Sequence, residues 1–296
     1  MPDQVVQKAT FSPATYDVAE AKPNWCPGCG DFGIWVAVKM ALAQLQLPPH
    51  EVVLVADIGC SSKMPYWVKS YGFQGLHGRA VPLATGVKLA NQKLNIFIIA
   101  GDGGAYGEGG NHFLHACRRN LDMVYIIHDN GVYGLTTGQV APTAEHGFKT
   151  KSSPEPVIEV PFNPLAIAIS AGATYVARGF AGDVKHLVSI LTSAHQHRGF
   201  AVVDVLQPCV TYNHLNTYQY YFQRTYKLDE DTSYNVGDKV AAFQKAQEWG
   251  EKIPIGLFYK ADRSLYTDEL PQVKDVQLAH QDRSNIDISS FLKSFA

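Results

Sequence analysis

Four cysteines and a pair of oxygen donors are the residues of this sequence whose types and spacing invite chemistry. Cys26-Pro27-Gly28-Cys29 sets two thiols in a tight turn, and Cys60 and Cys209 add two more from distant points of the chain. Four thiolates are the number that a [4Fe–4S] cluster takes. A lone C-x-x-C also serves zinc ribbons and dithiol redox sites. A zinc ribbon normally has a second C-x-x-C, which is absent, and a dithiol site has no use for Cys60 and Cys209. Two scattered buried cysteines stay open as the plain alternative for that second pair, because free cysteine is among the most buried residue types. The fifth, Cys117, falls on the apolar side of a helical pattern with Phe113 and Leu114 and reads as core. The oxygen donors are Asp102, in Gly101-Asp102-Gly103-Gly104, and Asn130, in Asp129-Asn130-Gly131. A carboxylate and a neutral amide oxygen suit Mg²⁺, which wants hard oxygen ligands in an octahedron and commonly shares them with phosphates. Gly103 and Gly104 let the backbone come close to a phosphate, and the helix start behind them offers free N–H groups.

The elements that position these residues follow from hydrophobic periodicity. Val52–Ala56, Asn95–Ala100, Met123–Ile127 and Ala201–Leu206 are short apolar runs, the pattern of strands covered on both faces. Helices are expected over Ile34–Leu45, Val81–Asn91, Asn111–Arg119, Pro164–Ala171 and Asp183–His195, with Asp31 able to cap the first and Pro48-Pro49 stopping it. Thr174–Ala177 reads as extended. Strands alternating with helices imply an α/β fold with a doubly wound, mostly parallel sheet. Cys60, Asp102, Asn130 and Cys209 each follow the C-terminal end of one of the strands, the edge at which open parallel sheets bind ligands. Residues 1–24, broken by Pro13 and Pro23, read as an irregular leader, and 25–213 as the ligand-binding domain. Residues 214–296 are Tyr-rich, then charged. They read as a C-terminal extension packing on that domain or a partner, with a helix over Asp238–Glu251 and a strand over Ile253–Tyr259.

The 296 residues are 46% hydrophobic, enough for one large core, and the formal charge of −2 carries no nucleic-acid or membrane-surface footprint. The longest apolar runs are too short to cross a bilayer, and the polar N-terminus lacks the apolar stretch of a secretory signal. An odd cysteine count argues against a disulfide framework. The expectation is a cytoplasmic protein that binds neither nucleic acid nor membrane.

GDG followed some thirty residues later by Asn has the form of the thiamine diphosphate motif. The competing dinucleotide fingerprint G-x-G-x-x-G is incomplete, since its third glycine would fall on Tyr106, although Asp129 could still serve as its acidic residue. More of the chain then matches a known family. WCPGCG, DFGIW, DIGCSSK, LHGRAVPLATGVKLAN, GDGGAYGEGGNHFLHACRRN, HDNGVYGLTTGQ and QPCVTYN, in that order, and the tail QEWGEKIPIGLFYKADR resemble the β subunit of 2-oxoacid:ferredoxin oxidoreductases, from about Asn24 to Leu270.

The resemblance implies the thiamine diphosphate-binding fold and a set of roles. Cys26, Cys29, Cys60 and Cys209 would ligate the [4Fe–4S] cluster, and Asp102, Asn130 and the carbonyl of Val132 would hold Mg²⁺. Ile58, Gly59, Cys60, Ser61, His77, Gly101, Gly103, Leu135 and Thr136 would line thiamine diphosphate, and Lys63 would meet the substrate carboxylate. A solvated Lys63, a structural His77 and an ion-pairing Arg79 are the plain alternatives. The implied reaction is oxidative decarboxylation of a 2-oxoacid with coenzyme A to acyl-CoA and CO₂, the electrons passing through the cluster to ferredoxin. One α/β domain and a tail leave no room for the second domain that supplies the glutamate acting on the cofactor's pyrimidine. An obligate α subunit is expected to bring that glutamate and much of the coenzyme A site. The chain departs from the family pattern at Gly104, where many relatives carry an acid, at Asp129, often Asn, and at Thr137, often Lys. The last leaves the preferred 2-oxoacid unset. The rival readings are a non-redox thiamine diphosphate-dependent decarboxylase or synthase subunit, a zinc-stabilised non-catalytic subunit and, more weakly, a nicotinamide dehydrogenase.

Overall fold

The computed structural model of the chain describes residues 10–273 and 276–295; the first nine residues of the expected leader lie outside them. The four apolar runs become strands within a residue or two of their expected limits, β1 (Val52–Ala56), β3 (Asn95–Gly101), β4 (Met123–Asp129) and β8 (Phe200–Leu206), and the segment expected to be extended over Thr174–Ala177 becomes β7 (Tyr175–Phe180), three residues longer at its end. Each is buried at nearly every position, as strands with helices on both faces must be. Alternate residues serve opposite cores: Ile96, Ile98 and Ala100 face one side of the sheet, Phe97 and Ile99 the other.

The intervening helices are α1 (Asp31–Gln44), α2 (Ala80–Ala90), α3 (Gly110–Arg119), α4 (Pro164–Ser170) and α5 (Val184–Gln196). α1 and α5 cover one face, where the buried Tyr16 donates to the carbonyls of Leu42 and Leu47 and so pins the segment before α1. α2, α3 and α4 cover the other. Cys117 is fully buried in that second core.

Several elements differ from the sequence expectation. A strand β2 (Tyr71–Gln74) pairs in parallel with β1 at the sheet edge; all four residues are exposed, so no apolar run announces it. The expected helix over Asp238–Glu251 is shorter, α7 (Lys239–Ala246), capped by the Asp238 carboxylate. It ends where Trp249 turns over the Arg178 guanidinium and Gly250 adopts φ +101°. The C-terminal part also enters the main sheet: after α6 (Tyr218–Arg224), β9 (Thr225–Lys227) pairs with β10 (Ile253–Lys260), which runs antiparallel to β7. The order is β2-β1-β3-β4-β8-β7-β10-β9. A short helix α8 (Ser289–Lys293) follows near the end, and no helix among the described residues is long and apolar enough to cross a membrane.

One buried ion pair braces the centre. Asp204 of β8 is fully buried and accepts from Arg178 Nε at 3.2 Å and Tyr106 Oη at 2.9 Å, linking β7, β8 and the turn after β3. Asp204→Ala strands a buried guanidinium and is expected to destabilise the chain by about 3–5 kcal/mol in denaturant titrations.

Candidate active site

Strands β1, β3, β4 and β8 are neighbours in that order, so the loops after them lie side by side along one rim. Strand spacing of about 4.8 Å brings DIGCSS, GDGG, DNG and QPC within side-chain reach. The C-x-x-C turn docks onto this rim at two points. Trp25 Nε1 donates to the Cys60 carbonyl at 2.7 Å, and the Gly30 N–H donates to the Pro208 carbonyl at 3.1 Å. Residue 30 must be glycine, because a Cβ there would lie 2.8 Å from Gln207 Cγ.

Cys26, Cys29, Cys60 and Cys209 thereby line one cavity of about 190 Å³, together with Asn24, Asp31, Lys63 and Gln207. The thiols of Cys60 and Cys209 approach the same glycine, lying 3.6 and 3.9 Å from a Cβ built on Gly134. Burial pushes the thiols of Cys29, Cys60 and Cys209 up, Cys60 to about 11, and the Asp31 carboxylate adds to each shift. Without metal these three are neutral thiols at pH 7, unlike the low-pKa thiolates of a dithiol redox centre. Iron would convert them by displacing their protons. Among the described residues no three His, Cys, Asp or Glu side chains converge on a single ion. Four thiols spread around a cavity suit a cluster, whose irons sit at separate corners, better than one zinc.

Asp31 does not cap α1. Gly30 holds the cap position, and the Asp31 side chain turns inward, its Oδ1 meeting His128 Nδ1 at 2.6 Å and its Oδ2 accepting from Cys29 Sγ at 3.4 Å. This buried pair had no signal in the sequence, its members being ninety-seven positions apart. Lys63 extends beside the cysteine cavity, its Nζ donating to Asn24 Oδ1 at 3.3 Å.

A second cavity adjoins the first. Ile58, Gly59, Cys60 and Ser61 line it from the segment after β1, Gly101, Asp102 and Gly103 from the end of β3 and the turn beyond it, and Asn130, Val132, Leu135 and Thr136 from the segment after β4; His77 closes its side. Asp102 is buried and accepts from the Gly131 N–H at 2.8 Å and Thr143 Oγ1 at 2.5 Å. Thr143 Oγ1 also lies 2.7 Å from Asp129 Oδ1. One hydroxyl proton serves only one of two carboxyls. Burial pushes both acids up, Asp102 to about 6 and Asp129 well above its ordinary value. The Thr143 hydroxyl thus bridges the two buried carboxyls and fixes Asp102 at the cavity wall.

Asn130 Oδ1 accepts from the Val132 N–H at 3.0 Å and keeps a second lone pair. Ser61 Oγ is buried without a partner at the cavity wall, a hydroxyl available to a ligand. A Cβ on Gly103 would collide with the Tyr133 ring, so only glycine admits this close approach. One anionic oxygen, one amide oxygen and a glycine-bared backbone fit a Mg²⁺-diphosphate group. Leu135 and Thr136 are exposed on the loop joining the two-residue strands β5 (Val132–Tyr133) and β6 (Gln139–Val140). In the same loop Thr137 holds φ +77°, a costly conformation for a β-branched residue.

Asp57, to which the motifs alone assign no role, is fully buried; its Oδ1 accepts from the Gly78 N–H at 2.9 Å, and its Oδ2 has no partner. A Cβ on Gly104 would collide with that oxygen, so any larger residue at position 104 would have to displace the Asp57 carboxylate. Burial pushes Asp57 up to about 6. The folded value lies above the unfolded one near 3.9, so the folded chain holds the proton more tightly. Its stability contribution is full below about pH 4 and is lost as pH rises through about 6. Asp57→Asn should raise the unfolding free energy of the cofactor-free chain at pH 7 by roughly 2–3 kcal/mol and flatten its decline between pH 4 and 6.

A larger open groove, about 1050 Å³, lies between α6 and α7; part of the tail motif lines it (Gln247, Glu248, Trp249, Glu251 and Lys252), but none of the cysteine, Asp102 or Asn130 loops reaches it.

Two family models match the chain. The model described as "Thiamine pyrophosphate enzyme, C-terminal TPP binding domain" covers residues 57–205. The model for the C-terminal part of the pyruvate ferredoxin oxidoreductase beta subunit covers 209–275. The 2-oxoacid:ferredoxin oxidoreductase subunit beta of Saccharolobus solfataricus is 47% identical over 89% of this chain and 88% of its own. Its counterpart in oxidoreductase 1 of Aeropyrum pernix is 49% identical over 86% and 83%. A solved structure of 2-oxoglutarate:ferredoxin oxidoreductase from Magnetococcus marinus, with 2-oxoglutarate, coenzyme A and succinyl-CoA bound, contains a chain that superposes with a TM-score of 0.88 at 36% identity, covering 97% of this chain and 96% of that one. A mostly parallel sheet with its motif loops on one rim, two family models in tandem and relatives alike over most of their length give one answer: the chain belongs to the β subunits of the thiamine diphosphate-dependent 2-oxoacid:ferredoxin oxidoreductases.

Proposed function

We propose that this protein performs the oxidative decarboxylation of a 2-oxoacid with coenzyme A, giving acyl-CoA and CO₂, and passes the electrons through a [4Fe–4S] cluster to ferredoxin. The observation that carries this reading is a shared wall: Cys60, Asn130, Gly134 and Leu135 line both the cysteine cavity and the oxygen-donor cavity. A cofactor held in one and a cluster held in the other would be parted only by the residues of that shared wall. A non-redox thiamine enzyme has no use for that adjacency.

When bound, thiamine diphosphate supplies the nucleophilic carbon and electron sink that decarboxylation of a 2-oxoacid requires, and a cluster supplies one-electron acceptance. The chain's own residues hold and orient. Asp102 carboxylate, Asn130 Oδ1 and the Val132 carbonyl would take Mg²⁺, and Thr143, bridging Asp102 and Asp129, holds the Asp102 carboxylate in place. Ser61 Oγ, buried without a partner, would donate to the cofactor, and His77, edge-on to Tyr133, would flank it. Lys63, at the mouth of the cysteine cavity, would meet the substrate carboxylate.

The oxygen-donor cavity is only about 40 Å³, room for a water or two, so the chain offers a surface for the cofactor and not an enclosure. Leu76, next to His77, and Leu135 are 75% and 46% exposed beside it. Large exposed apolar side chains at a half-open site suit a docked partner, and an obligate α subunit is assigned here. It brings the pyrimidine-directed glutamate and most of the coenzyme A site. The test is stoichiometry on the assembled enzyme: four iron and one thiamine diphosphate per β chain, with thiamine diphosphate lost on Mg²⁺ chelation. Zinc in place of iron, or cofactor held equally well without Mg²⁺, would overturn the reading.

A further inference from the structure

We infer that Gln207 is a positioning residue joining the two cavities: one buried amide sets the cluster's reduction potential and orients the cation ligand Asn130. The inference rests on the cluster and Mg²⁺ reading above. Gln207 follows β8 and is 1% exposed. Its Nε2 donates to Cys29 Sγ at 3.1 Å and to the Pro208 carbonyl at 3.1 Å. Its Oε1 accepts from Asn130 Nδ2 at 2.5 Å. Both amide hydrogens and the oxygen are thus engaged, with none left for water.

The order of donors fixes the direction of this chain. A thiolate sulfur only accepts, so Gln207 must present its NH₂ to Cys29 and its oxygen to Asn130. Asn130 must then present its own NH₂ to Gln207, which turns Oδ1 away from it. That oxygen is shared only with the Val132 N–H and is free to meet a cation. Flipping either amide would set acceptor against acceptor at the sulfur or donor against the metal. The backbone is held as well, since the Gln207 N–H donates to the Asp129 carbonyl at 2.8 Å and Gly30 lies against Gln207 Cγ. Hydrogen bonds to ligand sulfurs are among the levers that set cluster potentials, and partners behind a metal ligand set its orientation. A donor to Cys29 Sγ favours the more electron-rich, reduced cluster.

The test uses the assembled enzyme carrying Gln207→Met, similar in length and without amide atoms. The variant should keep its iron, while EPR-monitored redox titration shows the cluster potential shifted negative. The dissociation constant of thiamine diphosphate at saturating Mg²⁺ should rise about three- to tenfold, the loss of one buried hydrogen bond. A merely structural glutamine would move neither in a variant of normal stability, and either quantity staying at its wild-type value overturns the coupling. If Gln207→Met does not assemble, pulsed EPR on reduced wild-type enzyme labelled with ¹⁵N-glutamine takes its place: a ¹⁵N coupling to the cluster is expected, and its absence overturns the inference. Wild-type enzyme without iron would remove the cluster reading itself; iron-bearing wild type with an unshifted variant would remove only the role of Gln207.

Discussion

Cys26→Ser is expected to strip the iron from the assembled enzyme and abolish its brown chromophore while leaving the chain folded. Cys26 is exposed on the turn before α1, so its thiol contributes nothing to the core. Cys29, Cys60 and Cys209 are more deeply placed, and their neutral thiols are stabilised by burial, so three of them without the fourth revert to the protonated form more readily than they hold a labile cluster. Ferredoxin reduction should fall by about a thousandfold or more, about 4 kcal/mol at 1.4 kcal/mol per decade. The thermal midpoint of the metal-free chain should move by no more than a degree or two. Iron and absorbance retained in full would show that Cys26 is not a ligand.

Asp102→Asn is expected to have opposite effects on binding and on stability. Losing the one anionic oxygen aimed at the cavity should weaken Mg²⁺-dependent thiamine diphosphate binding by about a hundredfold or more, beyond what loss of an outer-sphere partner costs. The same change removes a buried carboxylate that burial pushes up to about 6. Its folded value lies above the unfolded one, so at pH 7 the ionised form weakens the folded chain, and that cost is absent below about pH 4. The asparagine retains an oxygen to accept from the Gly131 N–H, so the cofactor-free variant should unfold at higher temperature than wild type at pH 7. Weaker cofactor binding together with greater cofactor-free stability is the signature of a residue kept for ligand binding at the expense of the fold. Calorimetric titration with the cofactor and thermal melts across pH 4–8 read the two effects separately.

Much of the sheet was legible because burial on both faces leaves continuous apolar runs, and those runs end where the chemistry-bearing residues begin. Cys60, Asp102, Asn130 and Cys209 could therefore be placed on one rim from the sequence, without their contacts. The order β1-β3-β4-β8 adds what periodicity does not give: which of those loops touch. The exposed edge strand β2 was missed because Tyr71–Gln74 is only four residues long: Tyr71 and Phe73 alternate with Gly72 and Gln74, but two aromatics are too few to mark a strand. The sheet-pairing of β10 was hidden for another reason: its apolar run was visible, but its antiparallel partner β7 lies some eighty residues upstream. Buried polar pairs were the least legible. Asp31–His128, Arg178–Asp204 and Gln207–Asn130 join residues distant in sequence, and nothing in either partner's local sequence names the other, whether it stands at a helix start, near a strand end or, like Arg178 and Asp204, inside a strand. Asp31 shows the cost of local rules: position and type both suit a helix cap, but a buried imidazole and thiol compete for its carboxylate and win. Thr143 had no signal at all, being a loop threonine until the fold sets its hydroxyl between two acids.

The central claim is that the two cavities sharing Cys60 and Asn130 work as one electron-transfer unit. Anaerobic EPR of the oxidised, assembled enzyme, recorded before and after adding a 2-oxoacid with coenzyme A and with CO₂ measured in parallel, tests it most directly. The account predicts the signal of a reduced [4Fe–4S] cluster in step with CO₂ release, bleached again by oxidised ferredoxin. A cluster that stays oxidised while CO₂ is released, or an active enzyme that contains no iron, would contradict it.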